Sequence, residues 1–114
     1  MPFLELKTNK QLSEDKKQQV MTDLTSLISK DLNKPEKYIM VGCQDNQALM
    51  FGASTEPMAF IDLRSIRLPE DQTQKLSQSL STFLSNNLEV SPGRVFINFW
   101  NVPPHMWGHN GSTF

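Results

Sequence analysis

Few groups in this sequence can hold and release a proton near neutral pH. Cys43 is the single cysteine, so neither an internal disulfide nor a cysteine-based metal site can form. His105 and His109 have the i, i+4 spacing of a helical metal pair, but Pro103, Pro104 and Gly108 argue against a helix there. Two histidines without a third ligand make a weak site, and no metal is expected. Asn110-Gly111-Ser112 fits a glycosylation acceptor, which is incidental without a secretory leader. That leaves the start, Met1-Pro2-Phe3-Leu4-Glu5-Leu6. An initiator methionine before proline is usually trimmed, leaving Pro2 as the one residue with a free secondary amine. An α-amine titrates near ~8, far below a lysine, and an apolar wall lowers it further by disfavouring the cation. A proline amine at the start of a buried strand is therefore a candidate general base. While Met1 remains attached, the Pro2 nitrogen is a tertiary amide and the base is masked.

Composition narrows the classes. The chain has 114 residues, 11 basic against 12 acidic, and no basic run longer than Lys16-Lys17. A nucleic-acid partner would call for a basic stripe, and a membrane span for about 18 apolar residues in a row; the sequence has neither. The N-terminus lacks the charged leader and apolar segment of a signal peptide. A cytoplasmic protein is expected, one that could be released without a signal peptide.

The candidate base needs elements to hold it. Phe3 to Lys7 alternates like a strand. Ser13-Glu14-Asp15 opens a helix with a capping hydroxyl and acids in its first turn. Val20, Leu24, Leu27, Ile28 and Leu32 form one buried stripe. Pro35 disfavours helical geometry before it and marks the exit. Tyr38 to Cys43 reads as a strand, Asp45-Asn46 as a turn into a short strand from Ala48 to Phe51, and Gly52 to Pro57 as a loop.

The second half repeats the first. Met58 to Leu63 is a strand, and Leu68-Pro69-Glu70-Asp71 opens a helix as Leu12-Ser13-Glu14-Asp15 does. Leu76, Leu80, Phe83, Leu84 and Leu88 each stand 56 positions after a stripe residue of the first helix. Pro92 and Arg94 echo Pro35 and Lys37 before a strand from Val95 to Trp100. The expectation is one domain, residues 1–114, of class α/β (α+β), with pseudo-repeats 1–57 and 58–114. Two right-handed β-α-β units give a four-stranded sheet with two helices on one face. Both faces of Val95 to Trp100 are largely apolar, so the uncovered sheet face argues for an oligomer.

These residues resemble the macrophage migration inhibitory factor family of the tautomerase superfamily. The resemblance lies in Met1-Pro2, Asn33-Lys34-Pro35 with Tyr38-Ile39, Phe51-Gly52-Ala53-Ser54-Thr55-Glu56-Pro57, Ser65-Ile66, Ser91 to Asn98, and Asn110 to Phe114. It covers essentially the whole chain. It implies a homotrimer built around a central sheet barrel, with sites between subunits, and keto–enol tautomerisation of α-keto acids such as aryl pyruvates without a cofactor. Pro2 matches the family's base and Lys34 its carboxylate-binding lysine. Ser65 and Ile66 match a loop whose isoleucine N–H meets substrate. Tyr38 and Asn98 match pocket residues, Asn98 reaching in from a neighbouring subunit. Phe96 stands where animal members have tyrosine, and Trp107-Gly108-His109 where they have Val-Gly-Trp, which shifts the aromatic wall. A Cys-x-x-Cys of animal members is Met58-Ala59-Phe60-Ile61 here, which excludes thiol–disulfide exchange. The alternatives are a cytokine-like signalling protein acting through a receptor, and a trimer with a drifted pocket and another substrate.

Overall fold

Strand β1 (Pro2–Thr8) sets the inside and outside of the molecule: Pro2, Leu4, Leu6 and Thr8 are buried, and the residues between them are half-buried. The computed structural model describes residues 1–114. Helix α1 (Glu14–Leu32) begins at Ser13, whose hydroxyl accepts from the Lys16 N–H at 3.1 Å, with Glu14 and Asp15 in the first turn. Both features offset the unpaired N–H groups and positive end of a helix start. After a 3-10 turn at Glu36–Tyr38 the chain enters β2 (Met40–Gln44). The second half runs through β3 (Ala59–Ile66), α2 (Thr73–Leu88) and β4 (Val95–Val102). A small hairpin, β5 (Gly108–His109) with β6 (Ser112–Thr113), closes the sequence.

The sheet order is β2-β1-β3-β4, with β2 parallel to β1, β4 parallel to β3, and the central pair antiparallel. Each half is thus a β-α-β unit, and the units lie side by side. The buried residues of α1 are Val20, Leu24, Ile28 and Leu32, and those of α2 are Leu76, Leu80, Leu84 and Leu88, matching at the 56-residue shift. They form one core with Leu4, Leu6, Ile61 and Leu63 of the central strands. All four strand residues belong to the same face of the sheet, so both helices cover that face alone. Each such side chain contributes roughly 1.5–3 kcal/mol by leaving water. Leu27 and Phe83 of the expected stripes are only partly buried, flanking this core.

Three local expectations differ from the structure. Ala48 to Phe51 is not a strand: Phe51 makes one bridge to Ser54. The N–H groups of Asn46 and Gln47 donate to the carbonyls of Lys10 and Thr8, which draws this stretch along the exit of β1 instead. Helix α2 does not start as α1 does. Pro69 stands where Ser13 stands and has no hydroxyl, so a 3-10 turn at Glu70–Gln72 comes first and Gln72 gives no capping bond. The strand expected from Tyr38 begins at Met40, because Tyr38 still belongs to the preceding turn.

The uncovered face is less uniformly apolar than expected. Register places Gly42, Glu5, Asp62 and Asn98 in one row and Met40, Phe3, Arg64 and Trp100 in the next. Charge thus runs through the two central strands, with Arg64 donating to Asp62 at 3.1 Å. Large apolar side chains stand exposed on the edge strands: Met40 at 66 %, Phe96 at 64 % and Trp100 at 51 %.

Candidate active site

Lys34 is placed by the way α1 ends. Asn33 takes a left-handed conformation, φ 52°, which an asparagine tolerates better than most residues with a side chain. Ser29 then holds the exit at both ends of one residue. Its carbonyl accepts from the Lys34 N–H at 3.1 Å, and its hydroxyl donates to the Lys34 carbonyl at 2.6 Å. The side chain is left to extend toward the far end of β3. There Nζ donates to Ser65 Oγ at 2.9 Å and to the Ile66 carbonyl at 2.5 Å. Both partners are neutral oxygens, so the ammonium has hydrogen bonds but no counter-ion.

Pro2 lies beside this point because β1 pairs antiparallel with β3, with Pro2 opposite Ser65. Ser65 is fully buried and Ile66 is 3 % exposed. The Met1 amine, one residue ahead of Pro2, is pushed down to about 6. Burial is the largest cause, followed by the Lys34 charge, a hydrogen bond with Lys34 and the Arg67 charge. That hydrogen bond forms when the terminal amine is neutral and Lys34 is protonated, so it favours an uncharged terminus. Burial lowers Lys34 itself.

Tyr38 joins two grooves around this end of the sheet. One, of about 280 Å³, is bordered by Met1, Lys34, Pro35, Tyr38, Ile66, Arg67 and Phe114. The other, of about 250 Å³, runs from Met1, Pro2 and Tyr38 to Trp107 and His109. The aromatic rings hold one another: Tyr38 meets His109 edge-on at 5.9 Å, and His109 stacks on Phe114 at 5.6 Å. The Phe114 N–H donates to the Trp107 carbonyl at 3.3 Å. The depressed amine of Met1 borders both grooves, with Lys34 in one and Trp107 and His109 in the other, groups able to orient a carboxylate beside a base.

A family model described as "Macrophage migration inhibitory factor (MIF)" matches residues 1–114. The chain belongs to the macrophage migration inhibitory factor family. This family lies in the tautomerase superfamily and includes tautomerase and cytokine-like roles. The chain is 36 % identical to the macrophage migration inhibitory factor of Xenopus tropicalis over 96 residues, 83 % of this chain and 84 % of that protein. It is 32 % identical to the homolog of Trichinella spiralis, with all of both chains covered. Among solved structures, the macrophage migration inhibitory factor homologue of Prochlorococcus marinus superposes with a TM-score of 0.92 at 31 % identity, covering 98 % of each chain.

Family members are generally homotrimers, which bears on the residues that do not gather at Pro2. Phe96 and Asn98 lie on the uncovered sheet face, on edge strand β4. Phe96 packs on Phe51 at 4.6 Å, and Asn98 is exposed. Within one chain they do not meet Pro2, Lys34, Tyr38, Ser65, Ile66 and Trp107.

Two residues of the site carried no signal in the sequence. Arg67 follows Ile66 with φ 50° and borders the same groove as Lys34. Asn101, opposite Ser65 in the register, accepts from the Leu68 N–H at 3.1 Å and fixes the turn that carries Arg67. Arg94, which the sequence repeat already marks, acts at a distance from the site. Its guanidinium donates to the carbonyls of Phe51, Ser54, Glu56 and Pro57 at 3.0 to 3.1 Å, organising the 51–57 loop.

Proposed function

We propose that this protein is a keto–enol tautomerase acting on α-keto acids such as aryl pyruvates, with the Pro2 amine as base once Met1 is removed. The observation that carries this is the terminal amine pushed down to about 6 beside Lys34, at the end of a buried strand. A secondary amine freed at that position feels the same apolar wall and the same positive charges, both of which favour its neutral, basic form.

In the reaction, Lys34 binds the substrate carboxylate by a charge-assisted bond, which turns the carbon next to the carbonyl toward Pro2. Pro2 takes a proton from that carbon, leaving an enolate, and the prolinium returns the proton to the oxygen. The reverse sequence converts enol to keto, and no net proton is consumed. Positioned proton transfer contributes roughly 10²–10⁴-fold, and fixing the two reactants side by side adds to it. Tyr38 and Trp107 form the aromatic wall, and Ser65 and Ile66 hold Lys34 in place. Phe96 and Asn98 reach the site from a neighbouring subunit of a homotrimer.

The test follows an aryl pyruvate by its enol absorbance with three proteins: Met1-free, Met1-bearing and Pro2→Gly. The Met1-free protein is expected to catalyse the interconversion and the other two to lose most of the rate. Equal rates in all three would overturn the role of Pro2.

A further inference from the structure

We propose that His109 is a specificity residue of this site, its neutral imidazole accepting a hydrogen bond from a donor on the aryl end of the substrate, such as the ring N–H of an indole. The proposal rests on the tautomerase reading above and names a substrate class within it. Lys34 borders one groove, Pro2 borders the other, and Met1 and Tyr38 border both. A keto acid with its carboxylate on Lys34 and its reacting carbon at Pro2 therefore lays its aryl group along the second groove, between Phe3, Tyr38, Ile39, Met40 and Trp107. His109 borders that groove too. Of the polar side chains around it, Lys37 and Trp107 offer only donors, which leaves the His109 imidazole and the Tyr38 hydroxyl as its nitrogen and oxygen acceptors. Phe114, with the carboxylate that ends the chain, borders the groove of Lys34 instead. An acceptor on the aryl ring is thus served at several points, whereas a donor has few partners.

The hairpin fixes the imidazole. His109 pairs with Ser112 across a two-residue turn. Both turn residues, Asn110 at φ 52° and Gly111 at φ 76°, take the left-handed conformation that such turns require. The His109 ring stacks on Phe114 at 5.6 Å and meets Tyr38 edge-on at 5.9 Å. Aromatic packing holds its plane, and neither nitrogen is spent on a hydrogen bond or ion pair within the protein. The titratable and charged groups around it are the Tyr38 phenol, the terminal amine, the Phe114 carboxylate and Lys37, whose ammonium lies over the Tyr38 ring at 5.0 Å. In a neutral imidazole one nitrogen is an acceptor; in an imidazolium both are donors and a donor on the substrate is left unmet. Histidine is the side chain whose ordinary charge change falls between pH 5 and 8, so the preference is pH-dependent. The proton chemistry at Pro2 is unchanged.

The test uses two unreactive acids of one shape, titrated calorimetrically into the full Met1-free chain at pH 8.0 and pH 5.5. Indole-3-propionate carries the ring N–H and benzothiophene-3-propionate lacks it. Both have the same carboxylate, so the contributions of Lys34 and Pro2 cancel in the ratio. The expected result is the indole acid binding roughly three- to ten-fold more tightly at pH 8.0, the worth of one hydrogen bond, and within two-fold at pH 5.5. His109→Phe keeps a ring against Tyr38 and Phe114 and brings the two acids within two-fold at both pH values. His109→Gln, which keeps an acceptor that does not titrate, retains part of the preference at both. Equal binding by the wild-type protein at pH 8.0, a full preference persisting at pH 5.5, or one that survives His109→Phe overturns the proposal. Turnover is read separately. A donor preference through His109 without tautomerisation of any keto acid supports the subsite and sinks the reaction. Turnover of phenylpyruvate without any donor preference does the opposite.

Discussion

Lys34 Nζ and Ser65 Oγ lie 2.9 Å apart although 31 positions separate them in the sequence. The bond ties the exit of α1 to the end of β3, and Pro2 sits opposite Ser65 on the next strand. Three segments thus meet at one point, and each is held there by the fold rather than by the groups that would react.

The first prediction concerns pH. A general base works in its neutral form, so kcat/KM of the Met1-free protein is expected to rise as pH increases through the pKa of the Pro2 amine. The rise should fall below the ordinary ~8 of an α-amine, because burial and the Lys34 and Arg67 charges act on this end of β1. Lys34→Ala removes one of those charges and should move the rise to higher pH. It should also lower kcat/KM about 10–100-fold through one lost charge-assisted contact. A pH profile of both proteins checks the two effects separately.

Protein that keeps Met1 should show a different signature. Its terminal amine is lowered in the fold from 8.0 to about 6, so between these values the unfolded chain binds more protons than the folded one. Stability therefore rises with pH across that window. Thermal melts from pH 6 to 8 should show an increase that acetylation of the terminus flattens.

Arg94→Ala should destabilise the protein by roughly 2–3 kcal/mol, since hydrogen bonds to a charged donor contribute more than neutral ones and four carbonyls lose theirs. Lysine cannot replace a fork that reaches four acceptors, so Arg94→Lys should recover little. Denaturant unfolding measures both. A change below about 0.5 kcal/mol in Arg94→Ala would mean the loop holds itself.

The uncovered sheet face leads to a prediction about assembly. Phe96 and Trp100 are more than half exposed in one chain, and apolar surface of that kind marks an interaction site. The wild-type protein should sediment at three times its 13.0 kDa chain mass. Trp100→Asp, which replaces an exposed ring of that face with a carboxylate, should yield smaller species that keep their helical content but lose turnover. Turnover preserved in a stable monomer would mean that Asn98 and Phe96 are not supplied by a neighbour.

The sequence made some of this legible and not the rest, for physical reasons. Helical stripes are readable because burial repeats every three to four residues. A serine cap and a proline exit bound α1, which put Lys34 at a helix end. The sign of a φ angle is not written in residue types, so nothing in the sequence marks Arg67 beside Ile66. Asn101 acts through a turn 33 positions earlier, a pairing that exists only once β3 and β4 are in register. The β5–β6 strands have two residues each, too short for alternation to show. Ala48 to Phe51 has apolar residues in a strand-like run, but its neighbours bond the exit of β1 instead of a sheet edge. Asn98 is exposed on β4 and borders neither groove near Pro2 in its own chain, so the role proposed for it requires a second chain.

Met1 and Phe114 border the same groove. The chain therefore returns to its starting point, and a short glycine linker would join its ends into a closed ring. Reopened in the turn at 46–48, such a circular permutant should retain the two β-α-β units and their core, as permuted domains with adjacent termini commonly do. It would have no turnover by the proposed route, because Pro2 would lie inside a continuous peptide. The same holds for any fusion placed ahead of Pro2. The fold should survive an opening at 46–48, whereas the proposed chemistry requires the opening at Pro2.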